Sequence, residues 1–293
     1  MTLWIALSSA FRFTRRSARL WPIGVLAMLG SAPFAVVRLE DESPMFSSNE
    51  ALHAWLAERP LVAVMVALGA LAFVGGLWLL SEYASGALVV AADAPLQRGE
   101  LSVRETFRAG ARVWRRVVAV DLLVVVPALI PLVTLVTLGA AALGSGPASD
   151  VSERVLDFLT TGIYSGFAVV LAIIVWAWRD LAVRHAVLGG ERPMEAVHAA
   201  VADLTHVFLR TVALGSALFV TSWLVTFALL PLLLALGAFD LSGVMLVTPA
   251  LAWQWILLPG AVLLGPYALF DVSAWTYYYR LLHPTVAEAT DAG

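Results

Sequence analysis

The 293-residue chain has no cysteine and no lysine, and only 13% of its residues are charged. Without cysteine there is no disulfide, no thiolate metal site and no thiol nucleophile, and the redox compartment leaves no mark on the sequence. Without lysine, all 18 basic residues are arginine, a usage that fits an alanine-rich, GC-rich bacterial coding bias. The net charge is −3 and the pI is near 5.9. A bulk basic field of the kind that neutralises phosphates is therefore missing, and no nucleic-acid partner is expected. There is also no Walker loop and no Gly-rich dinucleotide turn, so no nucleotide cofactor is expected.

What the chain has in excess is apolar residues. They make up 61% of the sequence, with a mean hydropathy of +0.88, against about 45–50% in soluble domains. A hydrocarbon core of about 30 Å needs roughly 20 apolar residues in helix. Six runs qualify, at about 20–37, 61–80, 117–143, 156–178, 211–237 and 244–270. The expected fold is therefore all-α, a polytopic membrane protein with six transmembrane helices. Basic residues in short connections are retained on the cytoplasmic side. Arg12, Arg15, Arg16 and Arg19 precede the first run, six arginines lie in 81–116, four in 179–210, and Arg280 follows the last, against Arg38, Arg59 and Arg154 in the alternate connections. This asymmetry predicts both termini in the cytoplasm of a bacterial cell and the protein in its inner membrane. A secretory signal is the competing reading of the N-terminus, with "GSA" (30–32) as its cleavage site. Val36 and Val37 carry the apolar run past a usual signal core, so the segment is read as a retained span.

Two basic aromatic phrases, "FRFTRRSARLW" (11–21) and "FRAGARVWRRV" (107–117), stand at the roots of apolar runs. The first places Leu3, Leu7, Ala10, Phe11 and Ala18 on one helical face, with the arginines on another. The second follows "SVRE" (102–105), a capping box, and sets Val103, Phe107, Ala111, Trp114 and Val118 against Arg104, Arg108, Arg112 and Arg115. A third segment, 191–210, has Pro193 for a first helical turn and Met194, Val197, Val201, Leu204 and Phe208 at helical spacing. All three read as amphipathic helices lying along the cytoplasmic interface, with their apolar faces toward membrane lipid or the roots of the neighbouring spans.

Each such helix with the two spans after it makes a unit, at about 1–92, 93–190 and 191–283, with a short tail over 284–293. The whole is read as one integral membrane domain. The second and third units agree in detail: "ALIPLVTLVTLGA" (128–140) aligns with "ALLPLLLALGA" (228–238), bringing Pro131 and Pro231 into register. Each unit closes on an acid, Glu82, Asp180 or Asp271. These three are structural ion-pair candidates, expected to fork onto arginines of the amphipathic helices.

The connection "GGERPMEAVHAAVADL" (189–204) and the closing "TYYYRLLHP" (276–284) resemble bacterial six-helix membrane proteins similar to the membrane domain of some glycerophosphodiester phosphodiesterases. The catalytic barrel of those enzymes and its His-Arg-Gly signature are absent. What the resemblance implies is architecture, and it transfers no activity.

Chemistry-bearing residues are sparse. His53, His185, His198, His206 and His283 all lie in connections or the tail, so no span offers a base beside a nucleophile. "EAVH" (195–198) has the spacing of a di-iron bundle motif but lacks the second pair, and Glu195, His198 and His206 are expected to face solvent. "GIYSG" (162–166) has the small-xxx-small spacing of close helix packing, expected within the chain. Tryptophans 21, 55, 114, 176, 178, 253 and 275 suit an interfacial belt. No catalytic residue, metal ligand or cofactor is assigned. The function expected is a non-enzymatic integral membrane protein, a scaffold or accessory subunit acting through lipid, a protein partner or a second copy of itself. The alternative is a permease for a small or amphiphilic substrate, with proline-broken third and fifth spans (Pro127, Pro131, Pro231) lining a path.

Overall fold

The computed structural model describes residues 2–31, 58–97, 99–143, 151–235 and 258–284. All secondary structure among them is helical: α1 (Thr2–Arg16), a 3-10 turn (Ala18–Leu20), α2 (Trp21–Ser31), α3 (Pro60–Gln97), α4 (Val103–Leu143), α5 (Val151–Val187), α6 (Pro193–His206), α7 (Phe208–Ala235) and α8 (Leu258–Leu282). Four of these helices, α3, α4, α5 and α7, are long and apolar enough to cross a membrane. The described part of the first expected run is α2, and residues 32–37 of that run lie outside the described residues. Most of the sixth run, from 244 to 257, lies outside the described residues.

Helix α4 joins an amphipathic head to an apolar stem without interruption. Its 41 residues reach about 60 Å, roughly twice a hydrocarbon core. Ser102 and Glu105 start it as the sequence predicts: Glu105 Oε2 accepts from the Ser102 amide at 2.8 Å and from its hydroxyl at 2.6 Å, and Ser102 Oγ accepts from the Glu105 amide at 3.3 Å. The helix also runs on through Pro127 and Pro131, so the expected break in the third run does not occur. Proline is tolerated in membrane helices because neighbouring groups and local adjustment take up the freed carbonyls.

The chain forms two compact units, one of Met1–Leu3, Arg115–Val220 and Tyr279–Gly293, the other of Trp4–Trp114 and Thr221–Tyr278. In the second, α2 packs along α3, and Ser81 Oγ donates to the Ala27 carbonyl. Gly24 lies against the backbone of α8: a Cβ there would stand 2.2 Å from the Gly265 carbonyl oxygen, so only glycine allows these helices to approach so closely. Tyr83 Oη donates to the Phe107 carbonyl, and the two rings stack, fastening the head of α4 to α3. In the first unit, α5 packs against α6, and Trp178 Nε1 donates to the Val197 carbonyl at 3.1 Å.

Burial divides the apolar stripes of the amphipathic helices. In α1 the inward residues are Ala6, Ala10, Phe13 and Thr14, followed by Ser17, while Trp4 is 75% exposed and Phe11 60%. In α6 they are Ala196, Val197, Ala200 and Leu204, with Met194 and Val201 outward, and Phe208 beyond it is exposed too. At the head of α4, Thr106 and Gly110 are buried while Ala111 is exposed. Of the expected stripes, Ala10, Val197 and Leu204 are buried, while Phe11 and Ala18, Ala111, and Met194, Val201 and Phe208 are exposed. Close contact between helices selects small residues. Two further expectations change. Trp275 is fully buried rather than interfacial. Gly162 and Gly166 have no atom within 4 Å of a built Cβ among the described residues, so no seam within the chain uses them there.

Candidate functional site

The C-terminal end of α5 gathers the strongest polar chemistry of the first unit. The apolar run ends at Trp178, and the helix continues through Arg179, Asp180, Arg184 and His185. Arg179 Nε donates to Asp121 Oδ1 of α4 at 2.6 Å, and Arg116 Nη1 donates to the Ala186 carbonyl at 3.2 Å, so two guanidinium groups brace α4 against α5. Arg184, only 1% exposed, pairs with Asp180 one turn earlier, and Arg179 lies 3.5 Å from the same carboxylate. The anticipated acid Asp180 is thus buried in an ion pair, with arginines of its own helix rather than of an amphipathic one. Glu82 is buried and Asp271 is half-buried, both in the second unit.

Helix α5 stops at "LGGERP" (188–193). Gly190 takes φ +72°, where side-chain-bearing residues are strained. A Cβ on Gly189 would stand 2.7 Å from the His185 carbonyl oxygen. The paired glycines let the chain fold back over the last turn, with the Glu191 amide donating to the His185 carbonyl at 3.3 Å. That return sets Glu191 beside the imidazole and starts α6 at Pro193. About three turns along, α6 places Asp203 on the other side of the same ring.

His185 is buried between two carboxylates, with Nδ1 3.0 Å from Glu191 Oε1 and Nε2 2.9 Å from Asp203 Oδ2. His283, just beyond α8, brings its own Nε2 to 2.7 Å from Asp203 Oδ2. One carboxylate oxygen thus meets two imidazole nitrogens. Tyr279 completes the enclosure: its hydroxyl is 3.5 Å from His185 Nδ1, and its ring packs edge-on to His185 and tilted against His283. Burial disfavours ionisation of Asp203, but hydrogen bonds from His185 and His283, with the charge on both rings, outweigh it and hold the carboxyl below its ordinary value. Nε2 of His185, Nε2 of His283 and a carboxylate oxygen of Asp203 lie within 4.8 Å of one another. With its proton on Nδ1 toward Glu191, His185 offers a lone pair at Nε2.

Sequence reasoning assigned no such site. His185 and His283 are 98 positions apart, and no local spacing links them. Glu191, Asp203, Tyr279 and His283 all fall within the two segments that carry the family resemblance, but that resemblance named no role for them. Glu195, His198 and His206 do face outward as expected. No family model, curated protein or solved structure matches the chain.

Proposed function

We propose that the chain is a non-enzymatic integral protein of the bacterial inner membrane, a scaffold or accessory subunit with six spans and both termini in the cytoplasm. One observation carries this reading: along α4 and α5 a continuous stripe of large apolar side chains faces outward, while many of the buried positions of α3 and α5 are alanine. On α4 the outward series is Leu122, Val126, Leu129, Ile130 and Val133, and on α5 it is Leu159, Ile163, Phe167 and Val170. These positions repeat at helical spacing, and lipid is the solvent in which such stripes cost nothing. Inward positions include Ala168, Ala177, Ala182 and Ala186 of α5 and Ala84, Ala87, Ala91 and Ala92 of α3. The ionisable groups support the same reading. No Asp, Glu, Arg or His occurs in the sequence over 122–149, 158–178 or 211–239, and Arg179, Asp180, Arg184 and His185 at the C-terminal end of α5 are paired beyond the end of its apolar run, which is the arrangement of a brace rather than of a charged transport path. The resemblance to phosphodiesterase membrane domains and the threefold unit plan enter this proposal as architecture alone, and membrane lipids with a protein partner or a second copy are its expected contacts.

Single cysteines at Ser47 and Ser102 test the topology in a chain with no native thiol. Ser47→Cys should react with an impermeant maleimide added outside intact cells and Ser102→Cys only after lysis. Labelling of Ser102→Cys from outside overturns the arrangement. Mild extraction into nanodiscs, followed by mass spectrometry, should recover a stoichiometric protein partner or a retained lipid class. Counterflow of a small solute by reconstituted protein would replace the scaffold with a permease.

A further inference from the structure

The geometry points to a divalent metal site, unassigned by the sequence, in which His185 Nε2, His283 Nε2 and a carboxylate oxygen of Asp203 bind one first-row cation, Zn2+ foremost. Two imidazoles and one carboxylate are a common donor set for such ions. A site with three protein ligands leaves the remaining position to water. His185 is buried while His283 remains 39% exposed, so the site has a closed side and an open one through which an ion and its water can enter.

The arrangement differs from a chance meeting of polar groups in what stands behind the ligands. Glu191 Oε1 receives Nδ1 of His185 at 3.0 Å, the carboxylate–histidine contact that fixes the tautomer and turns the lone pair at Nε2 toward a metal. The contact depends on the tight return at Gly189 and Gly190, where a Cβ at Gly189 would also come within 3.4 Å of both Glu191 Oε1 and Tyr279 Oη. Tyr279 holds both rings by their faces and edges. The chain thus uses a turn, a carboxylate and an aromatic ring to orient two imidazoles on one oxygen.

Tetrahedral coordination at about 2.0–2.1 Å requires ligand atoms about 3.3 Å apart. Asp203 Oδ2 lies 2.9 and 2.7 Å from the two nitrogens, so those two separations must open by about half an ångström, while the two nitrogens, which lie within 4.8 Å of each other, take up the same spacing. The ion takes the place of the protons shared between nitrogen and oxygen, and those protons are released on binding. Because the ligands come from the end of α5, from α6 and from the residue after α8, the bound ion would clasp three segments of the first unit that are distant in sequence.

The test uses the full chain in detergent with a tag free of histidine, stripped with chelator and exchanged into chelator-free buffer. Zn2+ should bind at one per chain and raise the thermal midpoint, Co2+ should give the visible absorption of a tetrahedral ion, and anaerobic Fe2+ tests the other cation this donor set accepts. His283→Ala should abolish stoichiometric binding, Glu191→Gln should weaken it about 10- to 100-fold, and His198→Ala, changed at an exposed residue, should bind as the parent does. Wild-type stoichiometry is decisive even if a variant misfolds. Substoichiometric binding by the wild type of all three cations, or equal binding by wild type and His283→Ala, overturns the site and leaves a hydrogen-bonded clasp.

Discussion

The arginines of α1 and those at the end of α5 belong to the same residue type and both follow or precede apolar helix, yet they are used in opposite ways. Arg12, Arg15, Arg16 and Arg19 are all exposed. Among them Arg19 pairs with Glu100 at 2.7 Å, each side chain about half in solvent, and Arg12 and Arg16 line a cavity of about 280 Å³ with Glu100 and Tyr277. Arg179 and Arg184 are instead enclosed with Asp121 and Asp180. A guanidinium in water or among lipid headgroups contributes mainly long-range attraction, about 1 kcal/mol per residue near an anionic surface. One removed from water must be matched by a carboxylate, and it then ties together the backbones that carry the pair. The same residue type therefore serves solvent-facing attraction in one region and fastens helices where it is enclosed.

The comparison is most exposed to failure at the buried pair. Arg184→Ala or Asp180→Asn leaves a charge without its partner and should lower stability by about 3–5 kcal/mol, read as a fall in the thermal midpoint in detergent. An unchanged midpoint in both would reduce the pair to ornament. Asp121→Asn should cost less, about 1.5–3 kcal/mol, the range for hydrogen bonds to charged groups, and a double-mutant cycle with Arg179→Gln should return a coupling that 0.5 M salt barely alters. Additivity of those two substitutions would show that the 2.6 Å contact contributes nothing as a pair.

A pH series sharpens the contrast from the side of Asp203. Its carboxyl is held below the ordinary value of 3.8. The resulting stabilisation is fully present above that value and is lost as pH falls through the lower folded-state value. With chelator present, the difference in midpoint between wild type and Asp203→Asn should be constant across mildly acidic pH and should shrink only as pH drops through and below the ordinary carboxylate range. A difference that shrank as pH rose through the histidine range would assign the contribution to the charged imidazoles instead, since the Asp203 carboxylate favours the protonated ring of His185. The smallest effect is expected at Arg19: Arg19→Ala should cost about 1 kcal/mol or less, and less still at high salt, because both partners of that bridge are half exposed.

Much of the helical scaffold can be read from residue type and spacing. The capping box at Ser102 and Glu105, the start at Pro193 and the long apolar helices follow from local rules, because capping, proline geometry and hydropathy act over a few residues. The faces do not. Phe11 and Phe13, or Met194 and Val197, are alike in apolar character, yet the first of each pair is exposed and the second buried, because burial depends on which neighbour each helix meets. Asp180 is recognisable as an acid at the end of an apolar run, but its partner on the same helix depends on a rotamer chosen by packing. The histidine cluster had only one local sign, the glycine pair at 189 and 190, which marks a tight turn and says nothing of what the turn encloses.

By itself the sequence determined a helical, strongly apolar chain with its positive charge concentrated in alternate connections, since composition and periodicity act through the local chemistry of each segment. Only the tertiary structure decided that His185 and His283 meet across 98 positions at one oxygen of Asp203, that Arg179 reaches Asp121, and that Phe13 faces inward while Phe11 does not. Such encounters depend on how helices cross and where turns return the chain, and those are settled by the summed packing of residues that no short window of sequence contains.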